Sequence, residues 1–420
     1  MEWRGGMVPH IGLASSAGAP ENSSAQVEPL RKITGDWSQF RGPKRDGHIL
    51  IPSDHQPFSR LPAPRWKKAC GAGHSSIITY GQQVITLEQK GDRECLTARH
   101  LSDGSDLWEV CEDTRWDDMM SGEGPRSTPT LANGRVYSLF SNGVLACINP
   151  DDGRTIWKTT IIEEGYDFPE WGISASPLIW KNQVIVNPGG ESSAVKSFSA
   201  QSGELLWQSQ LSGRGVYLSP TILTLLGEDH LITAVTGKIV SLDPHTGTTR
   251  WEYPWKIFLN NAQIVQPIAL SDNSFLLAAG YGKGAECIAL SKTSGNDDYL
   301  FESQWASKDL KAKFSNPVLK DGYLYGFSEN LLVCLEAGTG QLKWRGKKYG
   351  YGRILVCGEQ LIILGNTGML SLVDASPENF REVFSGPLLS DARCWNGPAL
   401  VNRYLIARNG EEIACFDWVK

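Results

Sequence analysis

The chain contains no run of about 20 apolar residues, the length that a membrane-spanning helix requires, and no block of Lys or Arg. The first absence removes a transmembrane segment from the reading. The second removes the concentrated basic face that replaces phosphate counterions or docks on anionic lipid. With a formal net charge of −6, nucleic acid is not an expected partner. No Cys-x-x-Cys occurs and the seven His are scattered, so neither a structural zinc site nor any other metal is expected. A Gly-rich phosphate loop and a nucleophile motif are also missing. Nine Cys is an odd count, so they cannot all pair within the chain. Cys95, Cys147, Cys287, Cys334 and Cys415 lie in or beside apolar runs and read as small buried hydrophobes. Near the start, Pro9, His10 and small residues interrupt a weakly apolar stretch, a poor signal-peptide core. The compartment stays open.

What the chain has in excess is Trp and Gly, 15 and 44, and they recur together. Residues 126–157 set the plan: a strand opening on Ser-Thr-Pro129, a turn, a Val-Tyr strand, a third apolar strand, an Asp-Gly turn and a last strand carrying Trp157. Copies end on Trp108, Trp207, Trp251 and Trp344, each four residues after a turn Gly. A weaker copy runs through Ser294-Gly295 and places Tyr299 at the Trp position; the weakest ends near Phe384 with neither Gly nor Trp. A period of roughly 40–50 residues means four-stranded blades of a β-propeller. Each Gly turn supplies the positive φ of a tight hairpin, and each indole gives a flat apolar face to the next sheet. After Pro398 only three strands remain, which would leave an open edge. The strand around Trp66 completes that blade. The fold expected is all-β, an eight-bladed propeller of antiparallel four-stranded blades closed by an N-terminal strand, with seven blades as the alternative. Residues 1–35 read as a disordered leader, 36–62 as an irregular lead-in and 63–420 as the propeller. The blade-docking residues are Trp66, Trp108, Trp157, Trp207, Trp251, Tyr299 and Trp344.

The stretch Ser241-Leu-Asp-Pro-His-Thr-Gly-Thr-Thr-Arg-Trp251 resembles the repeat signature of the PQQ-like (pyrroloquinoline-quinone repeat) propeller family, and Asp36-Trp37-Ser-Gln-Phe40-Arg41-Gly42-Pro43-Lys-Arg45-Asp46-Gly47 resembles the segment that precedes the propeller in bacterial members. The resemblance covers about residues 36–420 and implies one of two functions. One branch comprises quinone-dependent alcohol and glucose dehydrogenases that hold PQQ and calcium in the propeller funnel. The other is a non-catalytic scaffold of the outer-membrane β-barrel assembly machinery, in the periplasmic cell envelope. The sequence has neither the adjacent Cys pair that many of the dehydrogenases carry nor a Cys ahead of Cys70 for a lipid anchor. Oxygen ligands for calcium are present at Asp117-Asp118 and between Asp391 and Asn396. The bland reading of both is a solvated turn.

Propellers bind at the axial funnel, and the residues around the Ser/Thr-x-Pro elements form the candidate ring: His74, Arg126, Trp171, Tyr217, Gln266, Asn316, Arg353 and Asn396. Two Arg with amides and aromatics suit a carboxylate-bearing ligand; the alternative is that they cap inner strands and line a channel. Two long loops, Cys111–Glu123 and Ile161–Trp171, join one rim, the first bearing Trp116, Met119 and Met120. These suit either a protein-contact surface or a plug over the funnel. No catalytic residue or cofactor is assigned. The expected function is a monomeric scaffold that binds a protein partner, with a PQQ-dependent dehydrogenase or other small-ligand propeller as the alternative.

Overall fold

The computed structural model describes residues 35–49, 61, 63–163, 165–166, 169–215, 217–258, 263–293 and 298–418. The leader expected at 1–35 falls almost wholly outside them.

Eight antiparallel sheets of the repeat follow one another along the chain. Blade 1 is Ile78–Tyr80, Gln83–Lys90, Arg93–His100 and Asp106–Glu112; the strands of blades 2 to 6 fall within 130–160, 178–208, 221–254, 268–307 and 318–348; blade 7 is Arg353–Cys357, Gln360–Leu364, Met369–Asp374 and Glu382–Pro387. Blade 8 takes Ala399–Val401, Tyr404–Arg408 and Glu412–Asp417 from the end of the chain and Pro64–Ala69 from near its start. Trp66 sits opposite Cys415, so the two ends share one sheet and blade 8 has its fourth strand. The weakest copy is a full blade.

The turn Gly serves two blades. A Cβ at Gly104 would meet the Trp66 ring at 2.6 Å, one at Gly153 the Trp108 ring at 2.9 Å, one at Gly203 the Trp157 ring at 2.6 Å and one at Gly247 the Trp207 ring at 2.3 Å. Each Gly thus supplies the left-handed turn of its own hairpin (φ 71–76°) and the flat seat for the preceding blade's indole. Trp66 Nε1 also donates to Leu101 O at 2.8 Å, and Trp108 Nε1 to Pro150 O at 2.8 Å. Trp251 instead stacks on Phe275, centroids 5.6 Å apart, and Trp344 packs on Phe380 and donates to Ser376 O.

One indole position differs from the expectation. In blade 5 it is occupied by Trp305, opposite Cys287, in the register of Trp157 opposite Cys147 and Trp344 opposite Cys334. Trp305 seats on Gly340 and donates to Ala337 O. Tyr299 pairs with Lys292, six residues ahead of the indole position, at the start of a nine-residue outer strand. Its hydroxyl reaches Glu228 on blade 4. A second correction concerns Cys95, which is not a free buried thiol but is bonded to Cys111 across blade 1. Cys147, Cys287, Cys334 and Cys415 are free and buried.

The inner strands are stapled into a ring at one position per blade, which precedes Pro in every blade but the first and the seventh. Backbone N–H groups of Ser76, Thr128 and Ser176 donate to the side chains of Thr128, Ser176 and Ser219 at 3.0, 2.9 and 2.8 Å. Gln266 Nε2 donates to Ser219 O and Gln266 N to Asn316 Oδ1. Arg353 bridges Phe314 O and Trp395 O, and Gly397 N returns to Ser76 Oγ at 2.8 Å. Every step crosses to a neighbouring blade or, through Arg353, spans one. These bonds satisfy buried backbone groups that no sheet ladder reaches.

Candidate functional site

The axial channel has two unlike ends. One is filled by residues 36–49. Trp37 N donates to Thr79 Oγ1 at 2.8 Å, Leu131 N to Ser38 O at 2.7 Å, and His48–Ile49 adds a parallel strand to blade 7. Two guanidinium groups enter the channel. Arg45 donates to Pro220 O at 2.6 Å and Pro177 O at 2.7 Å; Arg41 donates to Pro317 O at 2.8 Å and to Arg45 O and Asp46 O at 3.0 Å. Burial pushes Arg45 down to about 9 and Arg41 down to about 10, with Asp46 partly offsetting the latter. Carbonyl dipoles from blades 3, 4 and 6 hold these charges in place.

The other end is a cavity of about 360 Å³, within the range of small-molecule pockets. Its lining follows from strand alternation. Two residues before each ring position the side chain again faces the axis, which places His74, Arg126, Ser174, Tyr217, Ile264, Phe314, Tyr351 and Trp395 around the wall. The ring residues Ser76, Thr128, Ser176 and Ser219, with Phe40 of the plug, also line it, as do Trp171, Tyr281, Lys313 and Arg353. Of the candidates read from sequence, His74, Arg126, Trp171, Tyr217 and Arg353 are brought together here. Gln266, Asn316 and Asn396 are not: they are buried in the ring, Asn396 Nδ2 donating to Ser75 O at 2.7 Å and Gly73 O at 3.1 Å. Lys313, Phe314, Tyr351 and Tyr281 were missed, although residues at a fixed offset before the Pro elements were a readable signal.

Arg126 is neutralised. It donates to Asp118, Ser121 and Gly124 O; burial opposes the charge of Asp118, but Ser121 and Arg126 hold its pKa below the ordinary range. The acids suggested for calcium are therefore engaged or outward: Asp118 serves Arg126, and Asp391 is exposed. His74 donates from Nε2 to Ser121 O at 2.8 Å. Burial pushes it down to about 3, and Arg126, Arg353 and Arg393 add to the effect, so the ring is neutral. Lys313 Nζ lies 4.7 Å from the Tyr281 ring, 5.1 Å from Phe314 and 4.8 Å from Tyr351. Arg393 lies over Trp395 at the rim. The loop from blade 1 folds partly over the mouth: Met120 and Ser121 line the cavity while Met119 stands 102% exposed. Trp116 turns inward against Gly172 and Arg126. Among the described residues the lining offers hydroxyls and cations but no carboxylate or carboxamide side chain. Among the described residues the potential metal cluster is Cys95, Glu109 and Cys111 on the outer strands of blade 1, and its cysteines are bonded to each other.

Fold and repeat together define an eight-bladed propeller of the PQQ-like class. The chain belongs to the family described as outer membrane protein assembly factor BamB (PQQ_2), whose match covers residues 92–346. It is 21% identical over 307 residues to outer membrane protein assembly factor BamB of Shewanella oneidensis, covering 68% of this chain and 72% of that one. Among solved structures it is similar to BamB from Moraxella catarrhalis (TM-score 0.57, 15% identity, 84% of this chain and 97% of that one). It is likewise similar to the quinohemoprotein alcohol dehydrogenase from Comamonas testosteroni (TM-score 0.64, 12% identity, 93% and 81%). The two structural likenesses establish the fold and do not choose between scaffold and dehydrogenase. Among the described residues no helix is long and apolar enough to cross a membrane.

Proposed function

We propose that this chain is a non-catalytic propeller scaffold of a bacterial cell envelope, binding a protein partner on the face that carries the inter-blade loops. The observation that carries this reading is the placement of the most exposed large apolar side chains. Met119 is 102% exposed, Met120 63% and Phe258 94%, and all three lie on loops that lead from one blade into the next, on the cavity side. Solvent-exposed Met and Phe on one rim suit a contact surface. The BamB relatives support a role in outer-membrane assembly, and the Cys95–Cys111 bond supports an oxidising compartment. The dehydrogenase reading needs oxygen ligands for calcium, commonly six to eight including carboxylates. At this mouth a divalent cation would face Arg353 and Lys313 instead.

A photo-crosslinking residue placed at Met119 or at Phe258 in cells tests the proposal, with Leu206 on an outer strand as control. Discrete protein adducts are expected from the rim and none from Leu206. Dye reduction with turnover after addition of PQQ and calcium to the purified protein would refute it.

A further inference from the structure

We infer that the cavity binds a small organic anion with a flat apolar body, an aryl carboxylate in class, directly through Lys313 and Arg353 and without a bridging divalent cation. The cavity opens on the same face as the proposed partner-binding rim and shares Met120 with it, but its test reads ligand binding to the purified chain and does not depend on that reading.

The charge balance comes first. Arg126 has Asp118, but neither Lys313 nor Arg353 has an ion-pair partner among the described residues. Arg353 places Nε and Nη1 on Trp395 O and Phe314 O, leaving Nη2 free of any hydrogen bond to the described residues. Burial pushes its pKa down to about 10, so it remains charged at neutral pH. A half-buried cation on a cavity wall, with no carboxylate beside it among the described residues, offers an entering anion a charge-assisted hydrogen bond. The plug shows the contrast, since Arg45 and Arg41 put both terminal nitrogens on carbonyls.

The shape of the wall then narrows the anion. Tyr217, Trp171, Phe314, Tyr351, Trp395 and Phe40 give it aromatic faces, with Trp171 and Tyr217 centroids 5.0 Å apart and Phe314 and Trp395 also 5.0 Å apart. Such walls offer an inorganic anion nothing but desolvation, whereas an aryl group gains area burial and stacking. Lys313 is held among three rings, so its ammonium is oriented in advance and little side-chain entropy is lost on binding. Calcium has no place in this set. Among the described residues the lining contains no carboxylate, and its cations repel a divalent ion while attracting the carboxylate directly.

Calorimetric titration of the full chain with 2-naphthoate, in buffer containing EDTA, tests the inference. Binding is expected in EDTA, unchanged by added calcium. It should weaken by about tenfold or more in Lys313→Gln, and by a similar factor when 2-naphthamide replaces the acid. Because Arg353→Gln could disturb the ring, Lys313→Gln carries the test, with circular dichroism confirming that it folds. Inorganic phosphate should not compete at equal concentration. Equal affinity for acid and amide, an unaffected Lys313→Gln, a requirement for calcium, competition by phosphate, or no heat at about 1 mM ligand would each overturn it.

Discussion

The two ends of the channel use the same kinds of side chain for opposite purposes. At the sealed end Arg41 and Arg45 are buried cations whose terminal nitrogens all meet backbone carbonyls, so charge acts there as a peg joining blades 3, 4 and 6. At the open end Lys313 meets only aromatic faces among the described residues, and Arg353, which lines the cavity, gives Nη2 no hydrogen bond to them. What distinguishes a structural cation from a binding one here is not burial but whether carbonyls already hold its terminal nitrogens, since even Arg45 keeps a buried Nε without a partner among the described residues. Arg408 belongs with the first group. It is 0% exposed and ties blade 8 to blade 1 through Leu87 O, Thr86 Oγ1 and Gly71 O, at 3.0, 2.9 and 2.6 Å.

The largest expected effect is therefore at that seam. Arg408→Ala leaves the carbonyls of Leu87 and Gly71 without their donor and removes one of the two guanidinium groups that hold the buried Glu88 carboxylate charged, Arg99 being the other, and should cost about 3–5 kcal/mol in urea unfolding. A loss under about 1 kcal/mol would erase the category of structural cations. The wall shared by both ends gives the next test. Trp305→Ala should cost about 3 kcal/mol, because the indole is lost from its Gly340 seat, whereas Tyr299→Phe should cost less than about 1 kcal/mol. Reversal of that order would restore Tyr299 as the docking residue of blade 5. The smallest effect sharpens the open end. The pKa of folded His74 is held at about 3, below its ordinary 6.5, so the unfolded chain takes the proton first. Its contribution to stability is whole above 6.5 and is lost as pH falls from about 6.5 towards 3. Thermal melts at successive pH values should show His74→Gln losing less stability than the parent across that window.

The repeat was legible because its signals are local: Gly and Trp four residues apart, a hydroxyl residue before Pro. What each signal does was not legible, because the partners lie on different blades. Gly247 seats Trp207, not the Trp251 that follows it in sequence. Tyr299 was chosen by counting four residues from Gly295, and a lengthened outer strand moved the indole position to Trp305. Cys95 read as apolar, since only the strand register sets it opposite Cys111. Asn316 and Asn396 looked like ligand groups because amides before or near Pro point inward, but the backbone of the neighbouring blade takes them. The lead-in motif was visible, yet nothing local to it says that Arg45 ends between Pro177 and Pro220.

The contrast between the two mouths is tested most directly by one pair of urea midpoints, for Arg45→Met and Lys313→Met. Both changes replace a cation with a flexible apolar chain. The account predicts that Arg45→Met loses about 3 kcal/mol, the worth of its charged hydrogen bonds, while Lys313→Met stays within about 0.5 kcal/mol of the parent. Equal losses at the two sites would contradict it.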